Sequence, residues 1–168
     1  MDPGQPLPRL WLLTDERLGE TLFEAVARLP AGAGIAFRHY SLAEDERRAL
    51  FDRVKLAAPG PLLLAGPAEQ AQAWGADGSH GRHKGASTAP AHDLAEIRAA
   101  EAAGAALIFL SPVFPTRSHP GARALGPDGF AALAAQTTLP VVALGGMNAG
   151  RAAALIGAYG WAGIDAWL

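Results

Sequence analysis

A chain of 168 residues with a formal net charge of −2 and no cysteine excludes several classes at once. Nothing in its charge favours nucleic acid or an anionic membrane as partner, and disulfides, thiolate metal sites and a cysteine nucleophile are ruled out. Half of the residues are hydrophobic and only 18% are charged, enough apolar material for one domain over residues 1–168. No apolar run approaches the roughly 20 residues needed to span a bilayer. The start, MDPGQPLPRL, is too rich in proline and too weakly apolar for a signal peptide, so a cytoplasmic location is expected.

In chain order the pattern is strand, helix, strand, helix, nearly throughout. Residues 10–13 form a short apolar strand stopped by Thr14 and Asp15. Apolar residues at Leu18, Leu22, Phe23, Val26 and Leu29 make a helical stripe that Pro30 closes. Strand two is residues 34–37. Ser41 with Glu44 predicts a capping box for the next helix, with Leu50, Phe51 and Val54 on its inner face. Strand three is residues 61–65, followed by a short helix ending at Gly75. Residues 77–80 give strand four, and the weak stretch 89–91 gives strand five. Segment 81–90 reads as the loosest part of the chain.

Asp93 with Glu96 predicts a second capped helix, ended by Gly104. Strand six is residues 106–110, helix six 128–136, and strand seven 141–144. Asn148 caps a helix that Gly160 closes, and residues 161–167 supply strand eight. Strict alternation with short connections predicts α/β architecture: a short (β/α)8 TIM barrel with parallel strands, lacking the last helix. At 168 residues it lies below the usual minimum of about 200. The wall left bare after strand eight would be covered by a partner subunit, so a homo-oligomer is an open expectation.

The stretch from Leu107 to Gly146 is the most informative. Apolar residues 107–110 end in a loop of hydroxyls and cations: Ser111, Thr116, Arg117, Ser118 and His119. A second apolar run ends in Gly145-Gly146. Barrel enzymes hold their chemistry on loops that follow strand C-termini. Bare backbone N–H groups at a glycine turn suit a phosphate, although such a pair can also serve a tight turn alone. Arg38 at a strand end can bind ligand or pair with a nearby carboxylate. His92 before Asp93 can be catalytic or a surface residue at a helix start. His80 and His83, three apart and near His92, lack a carboxylate placed to complete a metal site, so no metal ligand is assigned.

The wording SPVFPT-R-S-H…G, followed one helix later by LPVVALGG, resembles the thiamine phosphate synthase/TenI family. LWLLTD, WGADGSHG and PAH also match that family's pattern. The resemblance implies a barrel that binds a small phosphorylated thiazole-type ligand through Arg38, Thr116, Arg117, Ser118, His119, Gly145 and Gly146. It also implies two chemistries. The synthase joins an aminopyrimidine pyrophosphate to a thiazole phosphate and uses Mg²⁺; the TenI-like tautomerase shifts a proton on the thiazole ring without metal.

Departures from the family pattern favour the second. The two magnesium aspartates fall at Gly66 and in the Arg82-His83-Lys84 segment, and the two lysines fall at Tyr40 and His119. Mg²⁺ takes hard oxygen ligands, which these residues lack. No cofactor is therefore expected, with Mg²⁺ required only if the protein is a divergent synthase. In the tautomerase reading His92 moves the proton, because imidazole titrates near neutrality. In strand eight Asp165 and Trp167 replace small apolar residues, and an aspartate repels phosphate. That leaves a third expectation, a catalytically silent barrel that binds a phosphorylated metabolite or a partner protein.

Overall fold

Eight short strands pair in sequence order, each parallel to the next, and β8 pairs back onto β1 to close a barrel. The computed structural model describes residues 6–116, 121 and 123–168. The strands are β1 (Leu10–Leu13), β2 (Gly34–Phe37), β3 (Leu62–Ala65), β4 (Gly78–His80), β5 (Thr88–Ala91), β6 (Leu107–Leu110), β7 (Val141–Ala143) and β8 (Gly160–Gly163). Six α-helices accompany them among the described residues: α1 (Leu22–Ala27), α2 (Glu44–Ala57), α3 (Ala68–Ala73), α4 (Leu94–Ala103), α5 (Gly126–Ala134) and α6 (Ala149–Ala153). The expected (β/α)8 fold is what the chain forms.

Large rings fill the interior. Trp11 on β1 meets Phe109 on β6 edge-to-face, with centroids 5.3 Å apart. These strands are not neighbours, so the two rings meet across the barrel. His80 on β4 packs against the same Phe109 at 5.3 Å. Gly34 makes room for the tryptophan, since a Cβ there would lie 2.4 Å from the indole ring. The continuous burial of β2, β3 and β6 follows from having a packed barrel inside and helices outside.

Local signals set most helix ends. The Asp93 side chain accepts from Glu96 N at 2.9 Å, and Gly104 in the left-handed conformation ends α4. Asn148 caps α6 in the same way, through Arg151 N. The expected Ser41–Glu44 box does not form. Ser41 N and Oγ both donate to the Glu16 carboxylate, at 3.0 and 3.1 Å, and Ala43 stands at the N-cap instead. The first helical stripe is also divided. A 3₁₀ segment, Glu16–Thr21, precedes α1, with a break at Gly19, whose φ is 48°.

Two other boundaries differ. Gly160 opens β8 rather than closing a helix: Trp161 N donates to Arg9 O at 2.8 Å, and a Cβ on Gly160 would lie 1.9 Å from that oxygen. Residues 161–167 are not one strand. After Gly163 the chain turns into a 3₁₀ segment, Asp165–Trp167, which folds Trp167 back onto Trp161 with ring centroids 4.7 Å apart. An apolar run that reads as a strand is thus two stacked layers. The connection from β4 to β5 carries no helix, so alternation lapses there as well as after β8. It is nonetheless tied down: Ser87 N donates to Ser79 O at 2.9 Å, and Ser79 Oγ meets His83 Nε2 at 2.9 Å.

Candidate active site at the C-terminal mouth

The loops after β6 and β7 form one unit. Val113 N donates to Leu144 O at 2.9 Å, and Phe114 N donates to Gly145 O at 3.0 Å. This close approach is why glycine stands at both turn positions. Gly145 has φ +93° and Gly146 +62°, and a Cβ on either would press within 3 Å of Pro112 or of Pro115 O. Arg151 braces the turn from α6, donating to Gly146 O with its guanidinium over the Phe114 ring. Among the described residues neither the Gly145 nor the Gly146 N–H is taken by a protein acceptor.

A pocket of about 100 Å³ lies beside this turn. Its walls include Arg38, Thr116, Gly145 and Gly146, four residues singled out from sequence, and Ser111 from the same loop. They reach it from the ends of β2, β6 and β7. The positions of Arg117, Ser118 and His119 lie outside the described residues. Two charged walls were not expected as ligand partners: Arg17 from the loop after β1 and Asp165 from the turn after β8. Their only signal in the sequence is a place just beyond a strand end. The Asp165 carboxylate, repulsive toward phosphate by itself, lies 3.5 Å from Arg17, so its charge is compensated locally.

Arg38 is held in place. Its Nε donates to Thr14 O at 2.7 Å and its Nη2 to Asp15 Oδ2 at 2.8 Å. Burial lowers its pKa from the usual arginine value, and the Asp15 carboxylate opposes that shift. Next to it His39 is buried in the left-handed region, with φ 39°, its ring stacked on Phe37. Thr14 Oγ1 accepts from Arg38 N and pairs with His39 Nδ1 at 2.9 Å. Burial lowers the His39 pKa, which suits an accepting, neutral ring. His80 goes further the same way: enclosed in the barrel and bonded to Thr88, it is pushed down to about 4 by burial.

His92 stands beyond β5 and is not a wall of this pocket. Its Nδ1 lies 2.7 Å from Glu96 Oε2, and its backbone N donates to the same oxygen. A carboxylate only accepts, so Nδ1 carries the proton, and Nε2 holds the lone pair when the ring is neutral. The Arg82 contact to Nδ1, at 3.1 Å, is then proximity within a cluster in which Glu96 is the shared acceptor. Burial alone would raise the Glu96 pKa, but the bonds from His92 and Arg82 outweigh it and bring it below the usual value.

The end of β3 does not suit magnesium. Gly66, where the resemblance puts an aspartate, offers no side chain. Beside it the guanidinium of Arg47 donates to Ala65 O at 2.6 Å and to Arg38 O at 3.0 Å. A fixed cation thus occupies the edge of the mouth where a divalent ion would need carboxylate oxygens. Among the described residues no three of His, Asp or Glu gather closely enough to hold a metal ion.

The fold and site together define a (β/α)8 barrel with a polar pocket over the C-terminal ends of its strands. Residues 85–167 match the family described as thiamine monophosphate synthase, so the second half of the chain is similar to that family. The putative thiamine-phosphate synthase 2 of Aquifex aeolicus is 40% identical over 80 residues, 46% of this chain and 43% of that protein. The thiamine-phosphate synthase of Geobacillus thermodenitrificans is 44% identical over 68 residues, 39% of this chain and 31% of that protein. The chain therefore aligns with less than half the length of these relatives. The thiamine phosphate pyrophosphorylase from Pyrococcus furiosus shares the fold, with a TM-score of 0.77 at 24% identity over 95% of this chain and 86% of that one. No helix among the described residues is long and apolar enough to cross a membrane.

Proposed function

We propose that the pocket beside Gly145-Gly146 binds a thiazole phosphate-type ligand and that the protein is a metal-free, TenI-like member of its family. The observation that carries the binding half is the two-loop unit itself. It brings Thr116 and two glycine N–H groups, which no described residue accepts from, to one pocket with Arg38. Backbone N–H groups with a nearby cation are the elements of a phosphate site. The Arg47 guanidinium beside Gly66 supports the metal-free half, because a cation there disfavours a second one. The reading tells against the divergent synthase, whose leaving pyrophosphate needs concentrated positive charge.

In this proposal His92 moves the proton. Glu96 orients the ring and holds the proton on Nδ1, so the exchange falls to Nε2. Since His92 is outside the pocket walls, binding and catalysis are separate claims. A silent barrel would bind the phosphate and leave the ring unchanged. The deciding experiment offers the protein thiazole carboxylate phosphate and follows tautomer conversion, alongside a coupling assay with both synthase substrates. Conversion without metal supports the proposal. Robust Mg²⁺-dependent coupling overturns it in favour of the synthase, and binding without either reaction leaves the silent barrel.

A further inference from the structure

Four charges alternate beside the pocket, Arg38, Asp15, Arg17 and Asp165, and all but Asp15 line it. They run from the end of β2, past the end of β1, to the turn after β8. The two arginines are held differently. Arg38 makes two short hydrogen bonds, to Thr14 O and Asp15. Arg17 faces Asp15 Oδ1 at 3.8 Å and Asp165 Oδ1 at 3.5 Å, in both cases through Nε. Both separations exceed the roughly 3.2 Å limit of a good N–H···O bond. Among the described residues no other protein group bonds its guanidinium. Arg17 is thus attracted to two carboxylates and locked to neither, and it lines the pocket.

We propose that Arg17 is the residue that grips the anionic group of the ligand in this pocket, with Asp165 holding it in the unliganded position. Arg38 is the positioning residue, fixing Asp15 on the far side of Arg17. The inference rests on the pocket being a phosphate site. A guanidinium presents parallel N–H donors that match two phosphate oxygens, and its partly exposed side chain can turn without breaking a short bond. A phosphate at the Gly145-Gly146 turn would compete with Asp165 for Arg17. The aspartate thereby sets a threshold, releasing Arg17 only to a ligand with concentrated negative charge. The ligand class selected is a phosphate monoester in preference to a carboxylate.

The test is calorimetric titration of inorganic phosphate into the intact protein and its variants. Arg17→Met keeps the chain length and removes the charge; it is expected to weaken phosphate by about ten- to a hundredfold, the size of charge-assisted bonds. Arg17→Lys should recover part of the loss. Asp165→Asn should tighten phosphate severalfold in the wild-type background and have no effect in the Arg17→Met background, because Asp165 acts through Arg17. Tightening in both backgrounds would make Asp165 a plain repulsive charge and overturn its holding role. Unchanged affinity in Arg17→Met, with affinity lost in Gly146→Asp, overturns the Arg17 role and leaves the pocket as the phosphate site. If wild type takes no phosphate, or Gly146→Asp binds it as wild type does, the phosphate-site reading itself fails, and this inference with it.

Discussion

Phe114 N donates to Gly145 O at 3.0 Å, joining the loop after β6 to the turn after β7. Two segments separated by a helix become one surface at the mouth of the barrel through this bond and the neighbouring one from Val113 to Leu144.

That contact makes the glycines sensitive. Gly145→Ala would place a Cβ 2.7 Å from Pro112 Cα at a φ of +93°. We expect a stability loss of about 2 kcal/mol, combining strain and overpacking. Urea unfolding checks the loss. Phosphate titration should show weaker binding in the same variant, and unaltered stability and affinity would refute the account of the turn.

Stability should fall as pH drops from about 6.5 to about 4. His80 is neutral in the fold, with its pKa depressed to about 4 by burial, whereas an unfolded histidine titrates near 6.5. The unfolded chain therefore binds more protons in that window, so stability is complete above it and lost as pH falls through it. The shift corresponds to something on the order of 3 kcal/mol. Burial depresses His39 as well, with the same sign. Denaturant midpoints measured across this range in wild type and His80→Gln decide the point. The variant should show a flatter slope, and an equal slope would remove His80 from the account.

Arg47 should matter for the fold and make metal irrelevant to it. It donates to Ala65 O and Arg38 O while almost fully buried. Arg47→Met would leave two carbonyls short of donors, at a cost of about 2–4 kcal/mol. Wild-type thermal midpoints should be the same with Mg²⁺ as with chelator. A clear rise with Mg²⁺ would mean that other carboxylates, such as Asp15 or Asp77, hold the ion.

His92→Asn separates catalysis from binding. It keeps hydrogen-bonding capacity near Glu96 and removes the imidazole. If His92 is the proton-transfer group, tautomer conversion should fall by about 10²–10⁴-fold with phosphate affinity retained. Conversion at the wild-type rate would exclude the role.

Much of this protein could be read from its residues in order. Short apolar runs marked the strands, and Asp93, Gly104 and Asn148 marked helix ends, because those effects act within a few residues of the chain. The glycine turn and Thr116 were legible because they follow apolar runs directly. Where local reading failed, a distant partner had intervened. Glu16 took the Ser41 hydrogen bonds, Arg9 O required glycine at position 160, and the stacking of Trp167 on Trp161 ended β8 early. The same holds for charge. Asp165 reads as repulsive in sequence and stands opposite Arg17 in the fold, across a gap of 3.5 Å. Arg38 is locked to Thr14 and Asp15 because β2 pairs with β1, and Arg17 meets Asp165 only because barrel closure brings β8 beside β1.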